Sequence, residues 1–192
     1  MKISIVGVGG AGCNVIIDLH NYNHIDSNLI MVNTVDRDLP AGSSAQFIKI
    51  GQQTEQFEDR HISLDIAFQA AFNDKEIIKK SLEGSELVFV LSGMGGAAGS
   101  GASCVIAEAA NDIGAICVGI LTTPFFFEGK HRCRVALEGL SASKAFCDVL
   151  IQISAQQLLD EIDPETTLST AFHLLDKAAM KRRVKPLAGG IY

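Results

Sequence analysis

Two stretches of this chain offer bare backbone rather than reactive side chains. Ser92–Cys104 reads SGMGGAAGSGASC, eleven Gly, Ala or Ser among thirteen residues, directly after the apolar run LVFVL. Gly7–Gly12 reads GVGGAG, satisfies G-x-G-x-x-G, and leaves the apolar run ISIVGV. Chemistry on such loops is done by amides. Glycine permits tight turns and close approach of backbone to a ligand, and a helix N-terminus favours phosphate. One such loop is a weak signal, because Gly and Ala also let a helix pack closely on a sheet. Two loops, each between a strand and a helix, can supply donors to several phosphate oxygens and suit a mononucleotide with a polyphosphate tail. Neither loop reads G-x-x-x-x-G-K-[ST], and no lysine stands at either helix start. A dinucleotide site on GVGGAG would want an acidic residue closing the second strand for the ribose. The chain has Asn33 and Thr34 there, and Asp36 comes two residues late.

The elements that must hold these loops are legible as periodic runs. Strand-length apolar segments occur at 3–8, 29–34, 47–50, 87–91, 115–122 and 149–154, most of them rich in Val and Ile. Near-continuous apolar runs mark strands buried on both faces of a parallel sheet. Helical patterns lie between them at 13–22, 64–82, 102–114, 129–146, 156–162 and 163–183. Gly114 is placed to end one helix, and Asp163-Pro164 to begin another. Alternation of this kind predicts an α/β fold: an open, mostly parallel, Rossmann-like sheet with helices on both faces and ligand beyond the carboxyl ends of the strands.

Composition narrows the function class. The 192 residues are 47% hydrophobic and 20% charged, enough for a sizeable core in one domain. A net charge of −6 gives no general attraction to nucleic acid, and the basic run Lys181–Lys185 reads as a solvated helix end. The five cysteines, at 13, 104, 117, 133 and 147, form no CxxC pair. They point to no metal site and to a reduced compartment. The chain opens on a strand-like segment and has no run long enough to span a bilayer, so no membrane segment is expected and a cytoplasmic location is.

Taken together, IVGVGGAGCN (5–14), VNT (32–34), LEGSELVFVLSGMGGAAGSGA (82–102), PFFFEGKHR (124–132) and TAFHLLD (170–176) resemble the FtsZ branch of the tubulin superfamily of GTPases. The likeness runs over nearly the whole chain but covers only the N-terminal, nucleotide-binding half of that family. It implies residues 1–192 as a single GTP-binding domain ending in the counterpart of the family's long central helix, with GTP or GDP as ligand, with or without Mg. The resemblance maps Gly9, Gly10, Ala11, Gly12 and Asn14 onto the first phosphate loop. It maps Gly95, Gly96, Ala97, Ala98, Gly99, Ser100 and Gly101 onto the signature loop. Glu128 and Arg132, four apart and expected on one helical face, match positions that meet ribose and nearby phosphate. Phe172 and Asp176 match the base-stacking and guanine-reading positions. Without the resemblance, Glu128 and Arg132 read as a surface ion pair and Phe172 as core.

The departures gather around the far phosphate. Ala97 and Ala98 stand where the family has Gly and Thr, which removes a hydroxyl and leads us to expect crowding by the Ala97 methyl. The family's third phosphate-side loop is replaced by QQTEQFEDRHIS (52–63), bringing Glu55, Glu58 and Asp59. Such charge would oppose GTP more than GDP. Val35 takes the place of the acidic residue after VNT, with Asp36 displaced by one, and Ser154-Ala155-Gln156 replaces a Pro-Asn-Asp turn. The chain also stops before the acidic loop that completes hydrolysis in a neighbouring subunit, so the expectation is a weak intrinsic GTPase and no catalytic residue of its own. The partner expected is a full-length FtsZ-type protein, whose filament this chain would regulate or cap, or a second copy meeting an apolar stripe on the 163–183 helix. Alternatives are a fragment of an ordinary cell-division GTPase, a degenerate interaction module without nucleotide, and an oxidoreductase resting on GVGGAG alone.

Overall fold

A computed structural model describes residues 1–21, 27–39, 42–52, 63–161, 163, 166–167, 170–171 and 174–175. Six strands form one sheet: β1 (Ile3–Val8), β2 (Asn28–Asn33), β3 (Gln46–Lys49), β4 (Leu87–Gly93), β5 (Ile116–Thr123) and β6 (Val149–Ser154). Their spatial order is β3-β2-β1-β4-β5-β6. Every neighbouring pair is parallel. All six expected strands are present, within one or two residues of the expected bounds.

The helices are α1 (Gly9–Asn21), α2 (Leu64–Asn73), α3 (Lys75–Leu82), α4 (Ala97–Asp112), α5 (Lys130–Lys144) and α6 (Ala155–Glu161). Alternation along each strand divides them between two faces. Val6, Val8, Ile30, Val32, Val88 and Val90 face α2, α3 and α4. Leu29, Met31 and Leu91 face Cys13, Val15 and Ile16 of α1. On that second face Phe125, Ile153 and Ala155 also bury Ala171 and Leu175. Helix α4 is the central one, with nearly every residue from Gly99 to Ala110 buried between the sheet and its helical neighbours α2 and α5.

Helix boundaries differ from expectation. The expected helix over 64–82 is two, broken at Asp74. There the backbone turns to φ −95°, ψ 10°, and the Asp74 carboxylate accepts the Gly51 N–H at 2.7 Å. That bond lashes the break to the segment after β3. Helices α1 and α4 begin earlier than expected, inside the glycine runs themselves. Sheet and neighbouring helices hold those bare residues helical although their propensity is poor. Helix α4 stops at Asp112, capped by Ile113, two residues before the expected end; Gly114, at φ +78°, turns the chain just beyond the cap, with Ala115 N–H donating back to Ala110 O at 3.0 Å.

Candidate functional site

In this strand order the chain leaves β1 towards β2 and leaves the adjacent β4 towards β5. The connections diverge between them and leave a crevice at the carboxyl ends of β1 and β4, the switch point where ligands of open α/β sheets bind. Both glycine runs open there, and Val8 and Ser92 are register partners. The loops touch. A Cβ placed on Gly9, whose φ is +69°, would lie 2.9 Å from the Gly99 amide nitrogen. One on Gly12 would lie 2.3 Å from Leu91 O, and one on Gly93 2.7 Å from the Ala11 Cβ. Glycine at 9 is therefore required twice over, for a left-handed backbone and for the approach of the second loop.

Serines fasten the arrangement. Ser92 Oγ lies 3.3 Å from Val8 O and 3.1 Å from Gly99 O, a donor linking the end of β1 to the start of α4. Ser100 is fully buried, and its Oγ accepts the Gly95 N–H at 2.8 Å. Ser100 thus shapes the second loop from beneath. Gly99 and Gly101 are buried too, Gly101 against the backbone of α2, so both serve close packing in the first instance. The residues left facing outwards are Gly10, Ala11, Asn14, Gly96, Ala97 and Ala98, and a Cβ on Gly96 would meet nothing within 4 Å. A shallow hollow lined by Ala11, Gly12, Ser92, Gly93 and Thr122 opens beside them.

The crowding expected of Ala97 does not occur. It is the first helical residue of α4, and among the described residues no side chain other than glycine has positive φ. The conformational load falls instead on Gly95, at φ +101°. The first turns of α1 and α4 contain no acidic residue, and α4 has no side-chain cap. Two helix N-termini with their partial positive charge therefore converge on one crevice, with no acidic side chain in the first turn of either helix.

Glu128 and Arg132 do pair, at 3.3 Å, but not on one helix as expected. Glu128 closes a 3-10 turn, Phe126–Glu128, and Gly129 at φ +101° separates it from α5. Its other oxygen accepts the Phe125 N–H at 2.8 Å. Gly129 can turn the chain there because it has no side chain, and the ion pair then bridges turn and helix. The pair borders the second loop: Arg132 O lies 3.0 Å from where a Gly95 Cβ would be. Phe172, Asp176 and the acidic residues Glu55, Glu58 and Asp59 lie outside the described residues. Asp36, weighed for a ribose, is ion-paired with Lys49 at 2.6 Å.

Two residues that sequence reasoning passed over matter here. Ser92 was inside the quoted run, but its role as a clasp needed β1 and β4 to be adjacent. Arg37, three residues after the Asn33-Thr34 strand end, lies with Nη2 2.9 Å from where a Gly10 Cβ would be.

Residues 2–163 match the Tubulin/FtsZ family, GTPase domain. The chain belongs to that family. It is 35% identical over 174 residues to the cell division protein FtsZ of Rickettsia typhi and to that of Rickettsia prowazekii, an alignment covering 91% of this chain and 38% of either relative. The chain thus spans well under half the length of these curated relatives. Among solved structures it resembles an empty FtsZ dimer from M. jannaschii at 34% identity and TM-score 0.85, over 93% of this chain and 52% of that one. CetZ1 from Haloferax volcanii, solved as a GDP-bound monomer, shares the fold at 18% identity and TM-score 0.79, over 95% of this chain and 58% of that one. Among the described residues of this FtsZ-like chain, no helix is long and apolar enough to cross a membrane, and no cluster of ligating side chains suits a metal ion.

Proposed function

We propose that this chain is a guanine-nucleotide-binding module of the FtsZ cytoskeletal type, acting in the cytoplasm, whose phosphates lie across the β1–α1 and β4–α4 loops. The supporting observation is the convergence of two helix N-termini with acid-free first turns, that of α4 without a side-chain cap, at the switch point of the sheet. Gly96, Ala97 and Ala98 offer amides to the phosphates from one side, Gly10 and Ala11 from the other, and Asn14 stands on the exposed flank of α1. Magnesium enters as the counter-ion of the nucleotide. We assign stacking on the base to Phe172 and guanine choice to Asp176, because a carboxylate accepts from the guanine ring N–H and exocyclic amine together. Calorimetry with GDP, GTP and ATP tests this. The expected outcome is binding of both guanine nucleotides, lost for GDP on Asp176→Asn and absent for ATP; no heat with GDP or GTP refutes it.

A partner reading rests on a separate observation. Phe126 and Phe127 are 72% and 57% exposed on the turn that adjoins the second loop. Large exposed apolar side chains beside a ligand site favour a docking surface. We propose that this rim meets a full-length FtsZ-type subunit, or a second copy of the chain, across the nucleotide. Docking through one face only would block further head-to-tail addition, which needs two different faces. Light scattering of a full-length FtsZ, with and without an equimolar amount of this chain, should show reduced polymer. Unchanged scattering refutes capping, and phosphate release in the same mixture shows whether hydrolysis depends on the partner.

A further inference from the structure

The run Asp36-Arg37-Asp38 follows β2 and carries three charges in three residues. Asp36 is turned to Lys49. Arg37 reaches the other way, over the first turn of α1, with Nη2 2.9 Å from the position of a Gly10 Cβ. Its field extends into that turn: burial pushes the Cys13 thiol up to about 11, and the Arg37 charge pulls in the opposite direction. Among the described residues Arg37 forms no ion pair, although carboxylates flank it on both sides in sequence. It is solvent-exposed and stands against the end of the helix where a cation is disfavoured. No acidic residue in the first turn of α1 offsets it. An arginine free to turn to Asp38 or to water is instead laid over the most side-chain-poor part of the crevice.

Resting on the nucleotide reading above, we infer that Arg37 is a phosphate ligand of this chain, closing over the polyphosphate tail from the β2 side. Its guanidinium offers planar, paired donors suited to phosphate oxygens. A polyphosphate between Arg37 and the α1 N-terminus turns a repulsion into two attractions. Gly10, which carries no side chain towards Arg37, leaves room for the anion to sit between the two.

The inference predicts opposite signs for two measurements on Arg37→Gln in the full chain. Affinity for Mg–GDP should fall about tenfold, ~1.4 kcal/mol, and inorganic pyrophosphate should compete for the mutant correspondingly less well. The melting temperature without ligand should stay level or rise, because a cation leaves the helix N-terminus. Arg37→Lys, which keeps the charge but not the paired donors, should fall between. Unchanged GDP affinity in Arg37→Gln overturns the inference. So does a lowered ligand-free melting temperature accompanying the weaker binding, since that would mark Arg37 as a structural prop. If the unmutated chain binds neither GDP nor GTP, the nucleotide reading itself fails, which is distinguishable from the failure of Arg37 alone.

Discussion

Gly9→Ala tests the claim that the two loops depend on one another. Gly9 sits at φ +69°, and an added Cβ would lie 2.9 Å from Gly99 N and 3.2 Å from Gly99 Cα, both backbone atoms. The left-handed conformation costs a residue with a Cβ about 1–2 kcal/mol. Overpacking against backbone that cannot rotate away costs about 1–3 kcal/mol more. The expected loss is therefore about 2–5 kcal/mol, or roughly 4–20 °C in Tm for a domain of this size. Gly96→Ala is the matched comparison. That residue has φ −95°, ψ 153°, and its Cβ would meet nothing within 4 Å. Alanine there should cost at most about 1 kcal/mol, through a poorer helix cap. If the open space above Gly96 belongs to phosphate, this variant should nevertheless lose GDP affinity. Urea unfolding gives the stabilities, and the slope m should be unchanged if the denatured state is unaltered. A Gly9→Ala protein within about 0.5 kcal/mol of wild type, the range of a surface change, would refute the close approach of the loops.

Ser100→Ala should destabilise by about 1–3 kcal/mol, because it strands the buried Gly95 N–H that the hydroxyl now accepts; hydrogen exchange at Gly95 should rise with it. Cysteine reactivity should be ordered. The Cys147 thiol, held below its ordinary range by the hydrogen bond from Cys117, is partly exposed and should be alkylated first at pH 8, before buried Cys13 at about 11. Equal labelling of the two by mass spectrometry would contradict this. The Lys75 bridges to Glu108 and Asp112, both at 3.0 Å, give a pH dependence of known sign. Asp112 is lowered below 3.8 by its hydrogen bond with Lys75. Its contribution is therefore present above pH 3.8 and lost as pH falls through the folded value. Desolvation lowers the Lys75 pKa, but the hydrogen bonds it donates to Asp112 and Glu108, with their negative charge, outweigh it and raise the value above 10.5, so that contribution is present below pH 10.5 and lost above the folded pKa. Lys75→Met should flatten the corresponding acid and alkaline limbs of a stability–pH profile; identical profiles would show that the bridges are energetically idle.

Much of this protein was determined one residue at a time. Val and Ile runs buried on both faces are strands wherever they sit, so all six strands and their parallel class were legible from pattern. The glycine loops were legible because phosphate chemistry on a backbone requires the absence of side chains, which a sequence displays directly. Spatial neighbours were not legible. Nothing local in GVGGAG or SGMGGAAGSG says that β1 lies beside β4, and only that adjacency brings Gly9 to Gly99 and lets Ser92 clasp the two loops. The break at Asp74 and the turn at Gly129 escaped the helical pattern for the same reason. A carboxylate bonded to Gly51, and an ion pair across a left-handed glycine, are decided by what stands opposite in space. Arg37 is the extreme case. In sequence it is one charge in an acidic surface run, and the fold alone lays it against the positive end of α1. Strands and bare loops follow from the short-range chemistry of each residue. Which charges and carbonyls meet is set by long-range packing, which no single stretch of chain contains.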